Sequence, residues 1–235
     1  MTDRTRETSR RLYARLAGFT ILVYIAVGIA NEVLFHRATS GEGTAAILAS
    51  VAAHASDVRV ITLLKLVECF SALVLAVAMY GITRDENHEL AMLAMACRVG
   101  EGVLSATGIP SLLGILWLST AGAGVGGPDA ATINTLGAFL LMPAPNIPIG
   151  AIFFALGSTI FSYLLLRGRM VPSPLAWLGV LASLLLVVWL PLQLVDFLKG
   201  PLTGYQWVPM FVFQFALGLW LLVKGVAMPA LRQST

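Results

Sequence analysis

An all-α polytopic bundle of six transmembrane helices, with both termini cytoplasmic, is the fold this 235-residue chain predicts. Three observations predict it. Hydrophobic residues make up 58% of the chain and charged residues only 11%, against about 25% charged in soluble domains, and the mean hydropathy is +0.86. Six apolar runs are long enough to cross a bilayer core about 30 Å thick, which takes roughly 20 helical residues. Lys and Arg between those runs fall ten on one side and three on the other, the bias that marks cytoplasmic loops. These observations exclude a soluble enzyme or a string of soluble modules. They divide the chain into a basic cytoplasmic segment 1–15, a bundle 16–228 and a cytoplasmic tail 229–235.

The first span, Leu16–Phe35, follows Arg4, Arg6, Arg10, Arg11 and Arg15. It carries Asn31 and Glu32 and lacks a small-residue cleavage site, so it reads as an anchor rather than a removable signal. After it, Thr44 is placed to cap a short helix through Ala55, with Ile47, Leu48 and Val51 on one face as a lid for the bundle mouth. The second span is Val58–Gly81, and the third, Leu90–Leu118, is long enough to tilt or kink. The loop Ala121–Asn146 is rich in Gly and Pro at both ends and reads as a second cover over the mouth or a surface loop. In the fourth span, Ile147–Leu166, a stripe of Ala151, Ala155, Ser158 and Ser162 permits close backbone approach. The fifth and sixth spans are Pro174–Leu198 and Trp207–Met228. The ten basic residues on the cytoplasmic side are the five named above with Arg84, Arg167, Arg169, Lys224 and Arg232, and the three opposite are Arg37, Arg59 and Lys199. That orientation puts both ends of the chain on the cytoplasmic side.

Several chemistries are not signalled. Cys69 and Cys97 both fall inside spans, and His36, His54 and His88 lack paired helical spacing, so no disulfide framework and no metal are expected. Nucleotide loops, nucleophile elbows and zincin motifs are missing, and no cofactor is expected. Despite a net charge of +3, the basic residues flank spans rather than form a patch that tracks phosphates, so no nucleic acid partner is expected. The expected partners are the lipid bilayer and a lipophilic small molecule.

What remains is a set of polar residues inside the spans. An ionisable side chain in hydrocarbon costs several kcal/mol, so it faces the bundle interior and marks a functional site by default. Asn31, Glu32 and His36 belong to the first span, Lys65 and Glu68 to the second, Arg98 and Glu101 to the third, Gln193 and Asp196 to the fifth and Gln214 to the sixth. Lys65 with Glu68, Arg98 with Glu101 and Gln193 with Asp196 are three apart, and Glu32 with His36 four apart, so each pair shares a helix face. A one-sided pocket, open outward and closed toward the cytoplasm, accommodates them all. Glu32, Glu68, Glu101 and Asp196 outnumber Lys65 and Arg98 by two, and surplus buried carboxylates must hold a proton or recruit a cation. A purely structural ion-pair network is the competing reading.

The stretches RLAGFTILVYIAVGIANEVLF, GTAAILAS, LLKLVECFSALVLAVAMYGI, ACRVGEGVLS and FALGLWLLVKGV resemble the bacterial domain-of-unknown-function 4386 family. The resemblance implies a small polytopic membrane protein with cytoplasmic ends and supplies no accepted activity. It places Glu32, Glu68, Arg98 and Glu101 at recurring polar positions of that pattern.

Three functions fit these residues. The first is an intramembrane isomerase or cyclase doing cofactor-free acid–base chemistry on a lipophilic molecule, with Glu68, Glu101 and Asp196 as catalytic acids. Asn31, Glu32, His36, Lys65, Arg98, Gln193 and Gln214 would then bind the ligand. The alternative is a non-catalytic ligand-binding or structural membrane protein. A proton- or cation-coupled transporter is the third, opposed by the apolar cytoplasmic half and the lack of an internal repeat.

Overall fold

The computed structural model describes residues 3–121, 129–141, 149–195, 197–198 and 201–227. The described residues form the helices α1 (Asp3–Ala38), α2 (Thr44–Ala53), α3 (Ala55–Thr83), α4 (His88–Ala106), α5 (Gly108–Ala121), α6 (Ala130–Leu141), α7 (Ile149–Arg167), α8 (Ser173–Leu194) and α9 (Val208–Val223), with a 3-10 helix at Pro201–Trp207 before α9. Six stretches are long and apolar enough to span a membrane: Glu7–Ala38, Ala55–Thr83, His88–Thr120, Ile149–Arg167, Ser173–Leu194 and Gly204–Val223. The protein is an integral membrane protein with an all-α bundle.

Local chemistry sets the ends of these helices. Asn87 accepts a hydrogen bond from the Leu90 N–H at 2.9 Å and starts α4. Pro174 and Pro209 sit in the first turns of α8 and α9, where a missing N–H is harmless. The third span is broken at Thr107 between α4 and α5. Pro110 explains the break, since its ring crowds the carbonyl of Ala106 and it cannot donate to it. At the end of α7 the Met170 N–H reaches the Leu165 carbonyl and the Arg169 N–H reaches that of Leu166, with Arg169 at φ 49°. That is a Schellman ending with an arginine in the left-handed position usually held by glycine.

The six spans close into a ring in chain order: α1 packs on α3, α3 on α4, α4 on α7, α7 on α8, α8 on α9, and α9 returns to α1. Association in lipid depends on close packing and polar contacts, and glycines supply the close approach at two seams. A Cβ on Gly18 would lie 2.5 Å from the Leu222 backbone nitrogen and 2.6 Å from the Gly218 carbonyl oxygen, so α1 and α9 touch backbone to backbone. Gly150 and Gly157 bring α7 close to α4, where a Cβ would lie 3.2 Å from the Glu101 carbonyl oxygen and 3.1 Å from that of Ala94. Within the small-residue stripe of α7, Ala155, Ser158 and Ser162 are buried.

The two ends of the bundle differ. At the end nearest the chain termini, here termed proximal, Arg10 donates to the Ile82 carbonyl at 2.8 Å and the Ala227 N–H to the Met170 carbonyl at 2.9 Å. The half above them is filled by apolar side chains, among them Ile21, Met79, Phe161, Leu165, Phe213 and Leu217. At the distal end, α2, α5 and α6 form a separate apolar cap around Leu48, Val51, Ile115 and Leu116. The sequence places Thr44 as the cap of α2. In the structure Gly43, at φ 84°, holds that position without a side-chain hydrogen bond, and Thr44 is the first helical residue. The long loop that follows the third span contains α6, whose start is capped by Asp129 accepting from the Thr132 N–H at 2.7 Å. Most of its Gly- and Pro-rich ends, 122–128 and 142–148, lie outside the described residues.

Candidate functional site

Beyond the proximal plug a cavity of about 740 Å³ lies between the spans. It is walled by α1, α3, α4, α7 and α9 together with Trp207, and its polar wall carries Glu32, Lys65, Glu68, Arg98, Glu101 and Gln214. Sites for small molecules occupy about 300–1,000 Å³. The cavity therefore has the size of a ligand pocket.

Two carboxylates organise its deep wall, each with one cation and one neutral donor. Glu68 on α3 receives Lys65 Nζ at 2.8 Å on Oε2 and Asn31 Nδ2 at 2.7 Å on Oε1. Glu101 on α4 has Arg98 Nη1 2.6 Å from Oε2 and accepts the Tyr24 hydroxyl on Oε1 at 2.9 Å. Each cation comes from the acid's own helix one turn away, and each neutral donor comes from α1. The ion pairs therefore sit within α3 and within α4, and α1 laces the two helices together. Arg98 and Glu101 are each only 2% exposed. Although close, Nη1 and Oε2 lack the alignment of a hydrogen bond and have no other partner. The guanidinium also lies over the Phe154 ring, 4.8 Å from its centroid, and 5.9 Å from that of Tyr24. Lys65 and Arg98 are thus taken up by Glu68 and Glu101, and the two carboxylates left over in the sequence count, Glu32 and Asp196, have no share in these pairs.

Other sequence-predicted residues separate from this centre. Glu32 and His36 pair at 3.3 Å at the distal end of α1, with side chains 73% and 79% exposed, and of the two only Glu32 lines the cavity. Gln193 accepts from Gln206 Nε2 at 2.9 Å, which ties α8 to the 3-10 helix before α9. Gln214 does line the cavity, on the face of α9 turned toward Arg98. Asp196 lies outside the described residues. Among the described residues no group of His, Cys, Asp and Glu is arranged to hold a metal ion.

The profile of the family described as Domain of unknown function (DUF4386) matches residues 16–225. The chain belongs to the DUF4386 family. Comparison with curated proteins and with solved structures gave no match. In this DUF4386 chain the matched stretch spans every residue of the polar wall.

Tyr24, Gly28, Ser105, Phe154 and Trp207 also line the cavity, and sequence reasoning had not singled them out for the site. Two of them, Tyr24 and Gly28, carried a usable signal. Tyr24, Gly28 and Asn31 are spaced four and then three apart, one face of a helix, so Asn31 marked the face on which Tyr24 also stands. Phe154 and Ser105 carried none, because aromatic and small residues abound in these spans.

Proposed function

We propose that this protein binds an uncharged amphiphile inside the bundle, with the polar head against Arg98, Glu101, Lys65 and Glu68 and the apolar tail along Ile25, Ile29 and Phe211. The observation that carries this reading is the cavity of about 740 Å³ whose two deep carboxylates, Glu68 and Glu101, each already hold a cation. A charged head would disturb that balance and pay its own desolvation, whereas a hydroxyl or carbonyl finds both donors and acceptors. The cavity would face the outside of a bacterial inner membrane, with the proximal end cytoplasmic. The packed proximal half disfavours a transport path, because Ile21, Phe213 and Leu217 narrow the space that a coupling ion would cross to a void of about 20 Å³.

Native mass spectrometry of the detergent-purified protein tests this. The wild type should retain an uncharged amphiphile, and Gly28→Phe, which fills the cavity beside Glu68, should lose it. Gly28→Ala should keep it, since a Cβ there meets only Glu68 Oε1 at an ordinary 3.7 Å. Equal retention by all three proteins, or none by the wild type, overturns the reading.

A second reading, cofactor-free isomerisation or cyclisation of that ligand, is favoured by one contact. The Tyr24 hydroxyl donates to a buried carboxylate beside Arg98, an arrangement able to pass a proton. If it turns over, Tyr24→Phe should keep the bound amphiphile and stop its conversion, as followed by chromatography of re-extracted ligand. No conversion by the wild type, or unchanged conversion by the variant, removes this reading and leaves binding intact.

A further inference from the structure

Helices α1 and α9 run antiparallel. At their proximal halves Gly18 lies against Leu222, and Gly218 lies against Ile21 and Leu22. Continued at the same register, Ile25 comes opposite Phe215, Ile29 opposite Phe211 and Glu32 opposite Val208. In a seam that stayed shut, Ile29 and Phe211 would be buried as Gly18, Ile21 and Gly218 are below them. Instead Ile29 is 52% exposed and Phe211 47% exposed, and both line the cavity. Trp207 and Glu32, at the distal limit of the same gap, line it as well. The seam is therefore closed at the proximal end by backbone contact and parted over its distal half, with apolar side chains on both lips.

We infer that this gap between α1 and α9 is a lateral portal through which a single-chain uncharged amphiphile passes from the distal leaflet into the cavity. This rests on the binding role proposed above and adds the route. The lips are what a lipid tail requires, since Ile25, Ile29 and Phe211 present hydrocarbon to hydrocarbon. Among the described residues at the gap only Glu32 is ionisable, and it stands at the distal rim beside His36, at the level where headgroups and water begin. From Glu32 down to Tyr24 the helix descends about 12 Å at 1.5 Å per residue. A hydroxyl head entering below the headgroups travels that distance to reach Glu101 and Arg98 while its tail remains between the lips. The proximal clasp at Gly18 fixes the lower end of the opening, so tails enter from one leaflet only.

The test uses a long-chain alcohol with a diazirine next to its hydroxyl, photolysed with the full-length protein in nanodiscs and mapped by mass spectrometry. Ile29→Cys with Phe211→Cys, in a background where Cys69 and Cys97 are replaced by Ala, allows the gap to be bridged and reopened. A short bifunctional thiol reagent with a cleavable disulfide spans the pair. With the pair reduced, adducts should appear on Tyr24, Phe154 or Met210 and be displaced by excess unlabelled alcohol. Bridging should abolish them and cleavage should restore them, so the same molecules report their own folding. If the bridge forms in poor yield, Ile29→Trp, which fills the gap, should likewise lose the adducts while keeping the wild-type melting temperature. Labelling of the cavity that persists through a complete bridge overturns the portal and leaves the binding role standing. No cavity adducts on the reduced, folded protein would defeat both.

Discussion

At Arg98 and Glu101 the fold has committed two charges to an apolar interior, and their contact explains why neither can be changed alone. Glu101→Gln leaves the Arg98 cation uncompensated at 2% exposure, and breaking such a pair costs about 3–5 kcal/mol. The joint change Arg98→Met with Glu101→Leu removes both charges and should cost far less, so thermal unfolding in detergent should find the double variant much less destabilised than the sum of the two single variants. A second residue-scale expectation concerns Arg169, the left-handed residue at the end of α7. An L side chain there is strained by about 1–2 kcal/mol, so Arg169→Gly should raise the melting temperature, provided the two hydrogen bonds of the Schellman ending persist. These residues differ in how far the sequence announced them. Glu101 and Arg98 were legible because charge in a hydrophobic run is rare. Tyr24 was not, because a tyrosine in such a run is ordinary until Gly28 and Asn31, four and seven residues on, are read on the same face. The left-handed Arg169 carried no signal at all, since glycine stands one place earlier at Gly168.

Helix boundaries and seams set the next level. The distal helix α6 depends on Asp129, whose carboxylate accepts from the Thr132 N–H and is thereby held below its ordinary pKa of 3.8. A carboxyl with a depressed folded pKa contributes its full stabilisation above the unfolded value and loses it as the pH falls through the folded one. Amide exchange, corrected for its intrinsic pH dependence, should therefore show unchanged protection of the first turn of α6 from neutral pH down to about 4. Protection should weaken below that, and Asp129→Asn should be indifferent to the same titration. At the α1–α9 seam, Gly18→Ala places a methyl 2.5 Å from a backbone nitrogen. The helices must separate, and overpacking of this kind costs about 1–3 kcal/mol, read as a lowered melting temperature. The six spans themselves were legible from apolar length, and the break in the third span from its excess of residues. Helix α6 was hidden because Gly and Pro at both ends of its loop outweighed twelve helical residues in the middle. Thr44 was misplaced by one position because a Thr before an apolar run is the usual cap, whereas here Gly43 takes the backbone turn.

For the whole molecule, orientation is the expectation most open to direct measurement. With the proximal end cytoplasmic, Arg84→Cys, exposed between α3 and α4, should react with a membrane-impermeant maleimide only after the cells are opened. Reaction in intact cells would reverse the topology. The polar interior was foreseeable from the stripes of the second and third spans, but which helix would bind those two stripes together was not. Sequence spacing reports the face of a helix and says nothing of its neighbours, so the role of α1 as donor to both acids emerged only from the ring. That ring also has a consequence for how the protein is made. Its first and last spans are neighbours, and the clasp at Gly18 and Gly218 joins segments that leave the ribosome some two hundred residues apart. Until α9 arrives, Tyr24, Arg98 and Glu101 face an open side of the growing protein, and the five spans already inserted form a trough with a charged floor in the bilayer. Biogenesis must therefore hold or shield this trough through the synthesis of α7 and α8, and the pocket comes into being only with the final helix.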